Sequence, residues 1–287
     1  MKTPVLFLIY NKPEYTRQVF ESIRKAKPEK LFISADGPKS TRKGDDVKCE
    51  ETRKIVKELD WPCEVYTNFS AENLGCRLGV TKGINWFFEN VEEGIILEDD
   101  CLPAKSFFEY CENMLTLYRE NQKIMMISGS NPATAIADME SDYFFSRFYH
   151  VWGWATWKRA WSKMDINLLE WPKYKKENFL DQFYRYSEKN KKFTEKMFDQ
   201  VRDQRSSVWA IQWSYSCLIN HGLAILPKYN LVSNIGLLGD HSMNPDQLFL
   251  KIKDIDFNNL SHPETIDVQE NVEVLLFNKS GLNDLIL

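Results

Sequence analysis

The chain has 287 residues, with 37 Lys and Arg against 41 Asp and Glu and a formal net charge of −4. That balance supplies no basic field for a nucleic-acid backbone, which excludes broad nucleic-acid binding. Hydrophobic residues make up 43% and aromatics 14%, ample for a large core, and no apolar run approaches the roughly 18 residues of a membrane-spanning helix.

PVLFLIY (4–10) is continuously apolar rather than alternating, the pattern of a parallel strand covered on both faces. It reads as a first strand and not as an export signal. NKPEYTRQVFESIRKA follows with Tyr15, Val19, Phe20 and Ile23 at helical spacing. KLFISADGP (30–38) predicts a second strand, VKCEETRKIVKEL (47–59) a second helix, CEVYTNF (63–69) a third strand and residues 74–91 a third helix. GIILEDD is the fourth strand. Strand and helix alternating in this way is the doubly wound α/β signature, with ligands expected outside the carboxyl ends of the strands. Asn11, Asp36, the Asn73 region and the acids Glu98, Asp99 and Asp100 all fall at such ends.

Further along, residues 106–121 read as a helix and KIMMISGSNP (123–132) as a strand. Residues 133–151 are aromatic and irregular, and WGWATWKRAW (152–161) starts another helix, with Trp154, Trp157 and Trp161 on one face. Residues 162–205 are charged and helical. WAIQWSYSCLINHG (209–222) is an amphipathic helix stopped by Gly222, and LAILP (223–227) is a late strand. The last 35 or so residues are weakly patterned and read as a tail. The six cysteines show neither CxxC nor a compact metal spacing, so the thiols are expected to be free in a reducing, cytoplasmic compartment.

GIILEDDCLP poses the chemical question. Three adjacent carboxylates at the mouth of a sheet repel one another and are costly to desolvate, so they call for a positive partner. Hard oxygen ligands suit Mg²⁺ or Mn²⁺, and Mg²⁺ commonly joins one or two carboxylates to substrate phosphates. The alternative is a cap on the following helix. Strand alternation puts Glu98 and Asp100 on one side and Asp99 on the other.

Taken with PVLFLIYNKP, FISADGP, NLGCRLGV, GIILEDDCLPAKSFFEY, MISGSNP and HVWGWATWKRAW, this turn resembles the GT-A fold nucleotide-sugar glycosyltransferases, closest to the N-acetylglucosaminyltransferase I type and its bacterial relatives. The resemblance covers roughly residues 3–240. It implies a Rossmann-like, mostly parallel sheet flanked by helices, with an acceptor-side helical and loop portion. Residues 1–245 would be one domain, 1–130 holding the nucleotide-sugar and 131–245 the acceptor, and 246–287 a C-terminal extension. It implies transfer of a sugar from a UDP-sugar to a glycan hydroxyl with inversion. A lipid-linked saccharide acceptor would bring the chain to a membrane surface. Sugar-nucleotide nucleotidyl transfer ranks lower, because NKPEYTR contains no glycine to cradle a triphosphate. A non-catalytic carbohydrate- or nucleotide-binding protein is the third reading.

By the same resemblance Asp100 is the metal ligand, with Mn²⁺ or Mg²⁺ as cofactor. Asp99 and Glu98 contact the donor's ribose and sugar, and Asp36 its uracil or ribose end. Ile9, Tyr10, Asn11 and Lys12 form the first nucleotide-facing loop, and Lys12 stands where the family often has arginine. Arg77, in NLGCR at a helix start, suits a diphosphate. Gly153, Trp154 and Trp209 fall on the acceptor side, and His241 is a late metal ligand. An inverting transferase needs a base, which in that family directly follows a Trp; here Trp209 is followed by Ala210. Asp203 and Asp240 stand as candidates for that role. If neither serves, the chain is a variant with impaired turnover, or the resemblance ends before this segment.

Overall fold

The computed structural model describes residues 1–133, 136, 139–205, 208–236 and 252–279. The first apolar run forms β1 (Val5–Ile9), buried along its whole length. Val5, Phe7 and Ile9 share a core with Val19, Phe20 and Ile23 of α1 (Pro13–Ala26), while Leu6 and Leu8 share the other core with Ile84 and Phe87 of α3 (Gly75–Asn90). Both faces of the strand are therefore covered, which is why no polar position interrupts its sequence. Pro13 opens α1, where its fixed φ suits the first turn and its missing N–H is no loss.

Parallel to β1 on one side runs β2 (Lys30–Ala35) and on the other β4 (Glu93–Glu98); β3 (Glu64–Phe69) pairs parallel with β2 as an exposed edge. α2 (Asp45–Ile55) joins β2 to β3, and after β4 come the short β5 (Cys101–Pro103) and α4 (Phe107–Leu117). The sheet continues through β6 (Ile124–Ser128), β7 (Tyr143–Ser146), β8 (Trp154–Trp157) and β9 (Leu223–Pro227), in the order β3-β2-β1-β4-β8-β6-β9-β7. Its first half is parallel. In the second half β8 is antiparallel to β4 and β6, and β7 to β9, so the α/β class holds with a mixed, mostly parallel sheet. A separate ribbon joins β5 to β10 (Val232–Asn234).

Three expectations need correction. Trp154–Trp157 is a strand rather than the start of a helix; only α5 (Lys158–Trp161) is helical there. The alternation of WATW explains it: Trp154 faces one core, while Ala155 and Trp157 face the other. Trp154 therefore stacks on Trp209 and packs at a tilt against Trp161 and Trp213, whereas Trp157 lies across the sheet under the Arg159 guanidinium. Second, the stretch expected to be irregular contains β7, held antiparallel to β9. Third, part of the expected tail is packed: a helix over Glu270–Lys279 buries Val272, Leu276 and Phe277, and its buried Glu273 accepts the Ser146 hydroxyl and the Arg147 amide.

The charged stretch does fold as helices, α6 (Trp171–Lys176) and α7 (Glu188–Arg202), the latter capped by Ser187, which accepts the Asn190 amide. Next comes α8 (Ala210–Ile219), where the residue with positive φ past its end is His221. Gly222 is needed for space instead, because a Cβ there would meet Met125 Sδ at 2.3 Å.

Candidate active site at the acid turn

The order of strands makes β1 the pivot of the parallel half: β2 and β3 extend to one side and β4 lies on the other. The carboxyl ends of β1 and β4 flank this switch point, where open α/β sheets leave a crevice for a ligand. Leu8 of β1 is in register with Glu98 of β4, so the loops Tyr10–Lys12 and Asp99–Asp100 leave the sheet side by side. The cleft between them and the start of α3 has a volume of about 240 Å³ and is lined by Tyr10, Lys12, Asp36, Asn73, Glu98 and Asp99, among others. That is below the roughly 300–1,000 Å³ of sites that enclose a drug-sized ligand, so a longer ligand would extend onto the open rim.

Asp36 organises the far wall. Its Oδ1 accepts the Gly37 and Leu74 amides, both at 2.8 Å, and its Oδ2 accepts the Gly75 amide and the Asn73 Nδ2, both at 3.0 Å. Four donors fill the lone-pair capacity of a carboxylate. Asp36, expected to meet the uracil or ribose, does line the cleft, and its four donors tie the β2 loop to the head of α3. Gly75 there has φ +76°, which glycine adopts without strain. A Cβ on Gly37 would lie 2.4 Å from the Glu72 carbonyl carbon, which leaves glycine as the residue that fits.

Asp45, which nothing in the sequence singled out, organises the near wall. It is buried at the start of α2 and accepts the Tyr10 hydroxyl, the Asn11 side-chain amide and, at 2.7 Å, the Lys39 amide. Burial opposes its charge, but these donors prevail and hold the carboxyl below its ordinary range, while burial and the same bond push the Tyr10 phenol up. The side chains of Tyr10 and Asn11 are thus turned toward α2. Ile9 is buried at the end of β1 and lines the cleft as expected, whereas Arg77 is not among the residues that line it.

At the acid turn, alternation stops with the strand. Glu98 ends β4, and Asp99 and Asp100 lie in the turn, so both of the latter reach one lysine. Lys12 Nζ lies 2.6 Å from Asp100 Oδ2 and 3.8 Å from Asp99 Oδ1. Asp99 also accepts the Tyr10 amide at 2.9 Å, and Glu98 faces the Trp209 side chain, whose hydrogen bond favours its charged form. Burial, then the charge of Asp100, raise both Glu98 and Asp99 above the usual carboxylate range; Lys12 only partly offsets this. Burial works against the charge of Lys12, but Asp99 and Asp100 outweigh it and hold the ammonium above its ordinary range. Gly236 covers the turn: a Cβ there would lie 2.5 Å from Asp100 Oδ2.

These residues do not fit a protein-held divalent ion as they stand. The Asp100 oxygen expected to bind Mn²⁺ or Mg²⁺ carries the lysine, and among the described residues no group of three His, Cys, Asp or Glu side chains is placed to hold a metal. His241, the expected further ligand, and Asp240, an expected base, lie outside the described residues. The other base candidate, Asp203, is exposed beyond α7 and pairs with Arg205 at 2.6 Å; it does not line the cleft. On the acceptor side, Trp154 is fully buried and Trp209 is 2% exposed, so neither offers a free face to a sugar ring. Gly153, with φ +59°, is packed where a Cβ would lie 2.7 Å from Val232 and is likewise structural. Among the described residues, no helix is long and apolar enough to cross a membrane.

No known family of sequences matches the chain, and no curated protein does. Solved structures overlay on it at low similarity. They include a UTP-bound UGPase from Acinetobacter baumannii, 8% identical over 82% of this chain and 89% of that one with a TM-score of 0.44. An apo UDP-glucose pyrophosphorylase is 9% identical over 82% and 94%, with a TM-score of 0.41. A UDP-glucose pyrophosphorylase complexed with UDP-glucose is 10% identical over 83% and 95%, with a TM-score of 0.40.

Proposed function

We propose that the cleft binds a nucleoside-diphosphate sugar, with UDP as the nucleotide, and that the chain transfers the sugar to a hydroxyl of a glycan or lipid-linked saccharide. The observation that carries this reading is the position of the acid turn. Glu98 and Asp99 stand at the switch point of the parallel half-sheet, in a cleft whose walls are tied by Asp36 and Asp45. Carboxylates suit the hydroxyls of a ribose or a sugar, which can donate to them. In the transfer, the acceptor oxygen bonds to the anomeric carbon as the bond from that carbon to the diphosphate breaks. The hydroxyl proton passes to a base; Ala210 cannot accept it and Asp203 is paired with Arg205, so the remaining candidate, Asp240, takes that role in this proposal.

Nucleotidyl transfer, the chemistry of a UDP-glucose pyrophosphorylase, is the competing reading for the same cleft. Against it stands the loop after β1, Tyr10-Asn11-Lys12-Pro13. It has no glycine, it has a proline that lacks an N–H, and its Tyr10 amide is already bonded to Asp99. Such a loop is poorly made to wrap a triphosphate in backbone amides. The two are separated by product. With UDP-sugars and saccharide acceptors, release of UDP that falls at least tenfold in Asp99→Ala is the expected result. Pyrophosphate released from UTP and a sugar 1-phosphate would replace this reading with nucleotidyl transfer. Binding of UDP with no turnover of either kind would reduce the protein to a binding module.

A further inference from the structure

The acid turn was expected to hold a divalent ion, and the structure puts a side chain in that place. Lys12 reaches it from the loop before α1, 88 residues away in sequence, and its ammonium sits on Asp100 at 2.6 Å while facing Asp99 at 3.8 Å. The Lys12 side chain is 38% exposed and those of Asp99 and Asp100 are 8% and 14% exposed, so the pair is shielded from water on the carboxylate side. Shielding strengthens the attraction relative to a surface pair. Gly236 packs against the same Asp100 side chain, where a Cβ would lie 2.5 Å from Oδ2.

We infer that Lys12 is the resident cation of the acid turn and that it excludes a divalent ion from Asp100 while it is in place. Lysine suits this role because its ammonium is a compact point charge on a flexible stem. Ion and ammonium then compete for one carboxylate oxygen, and the free protein binds Mn²⁺ or Mg²⁺ there only weakly. On the function proposed above, a donor's diphosphate is the anion able to draw Lys12 away, and ion and nucleotide would bind together rather than independently. That consequence rests on the proposed function; the competition between lysine and ion does not.

The test is titration calorimetry of Mn²⁺ alone into the full chain, freed of metal with EDTA, and into Lys12→Met and Asp100→Asn. Weak binding to the native chain and at least tenfold tighter binding to Lys12→Met are expected. Adding Asp100→Asn to Lys12→Met should abolish the gain. Equal or weaker binding to Lys12→Met, with a cooperative melt confirming its fold, would overturn the inference. Should Lys12→Met not fold, the native chain still decides: tight Mn²⁺ binding that disappears in Asp100→Asn overturns it, and weak binding unchanged by Asp100→Asn supports it. A separate titration of UDP judges the proposed function. UDP that fails to bind, with or without Mn²⁺, counts against that reading and leaves the Mn²⁺-only result standing.

Discussion

The loop after β2 and the turn after β4 bring carboxylates to the same rim and settle them in opposite ways. Asp36 meets four donors from its own loop and the head of α3, three of them backbone amides. Glu98, Asp99 and Asp100 share one lysine, the Tyr10 amide, the Trp209 indole and the weakly donating Cys101 thiol between three acids. A carboxylate whose hydrogen-bonding capacity is full serves the scaffold. One held among like charges with too few donors is kept at a cost, and such groups gather where ligands bind. Both stretches read alike in sequence, as acids at strand ends, and the difference lies in what the fold brings to them.

The comparison breaks first, and with the largest effect, at Asp36. Asp36→Ala strands the Gly37, Leu74 and Gly75 amides, and each unpaired donor costs about 1–3 kcal/mol when it is kept from water. Because the loop is partly exposed, the expected loss is about 3 kcal/mol, or roughly 6–12 °C in Tm for a domain of this size. A thermal melt measures it. A change under about 2 °C would mean that water replaces the carboxylate and that Asp36 is free to serve a ligand after all.

The acid turn should respond to pH instead. Glu98 is held above its ordinary range in the fold by burial and by Asp100 and Asp99, so the folded state keeps its proton longer than the unfolded state does. The sign follows: its contribution to stability is complete below about pH 4, where both states are protonated, and is lost as pH rises through the elevated value. Glu98→Gln removes the titration while retaining the shape. The native chain and the variant should therefore melt closer together at pH 5 and further apart at pH 8.5, with the variant the more stable by on the order of 1 kcal/mol. A gap of the same size at both pH values would show that Glu98 is ionised and adequately partnered throughout.

Local patterns carried the parallel half of the sheet. β1, β2 and β4 are short apolar runs ending in Asn, Asp or Glu, and those ends mark the cleft. β8 escaped because tryptophans at 154, 157 and 161 mimic a helical face, although Trp154, Thr156 and the intervening alanine already alternate. Of the site, the acids were legible and their partners were not. Lys12 reads as a residue before a helix-opening proline, and its ion pair spans 88 positions. Asp45 sits in a stretch dense with charge, where nothing in the spacing tells a buried acid from a solvated one; only its meeting with Tyr10 and Asn11 does. Propensity and periodicity are short-range, whereas the pairing of charges across a cleft is set by which strands lie side by side.

β4 supplies the smallest and sharpest control, because one ion pair lies at its start and another in the turn just past its end. Glu93, where the strand begins, takes both Arg119 Nε at 2.8 Å and Nη2 at 2.6 Å. That geometry is better than the single contact of Lys12 with Asp100, yet the Arg119 side chain is 50% exposed and water already serves it. Fork geometry favours specificity, but exposure limits what the pair adds to stability, to about 1 kcal/mol at most. Arg119→Ala is therefore expected to lower Tm by no more than about 2–4 °C. The shift should shrink further in 0.5 M NaCl, as surface pairs are screened within a few ångströms at such ionic strength. A larger, salt-insensitive loss would show that distance, rather than shielding from water, decides how strongly this strand holds its cations, and would remove the physical reason for treating the Lys12 end as different.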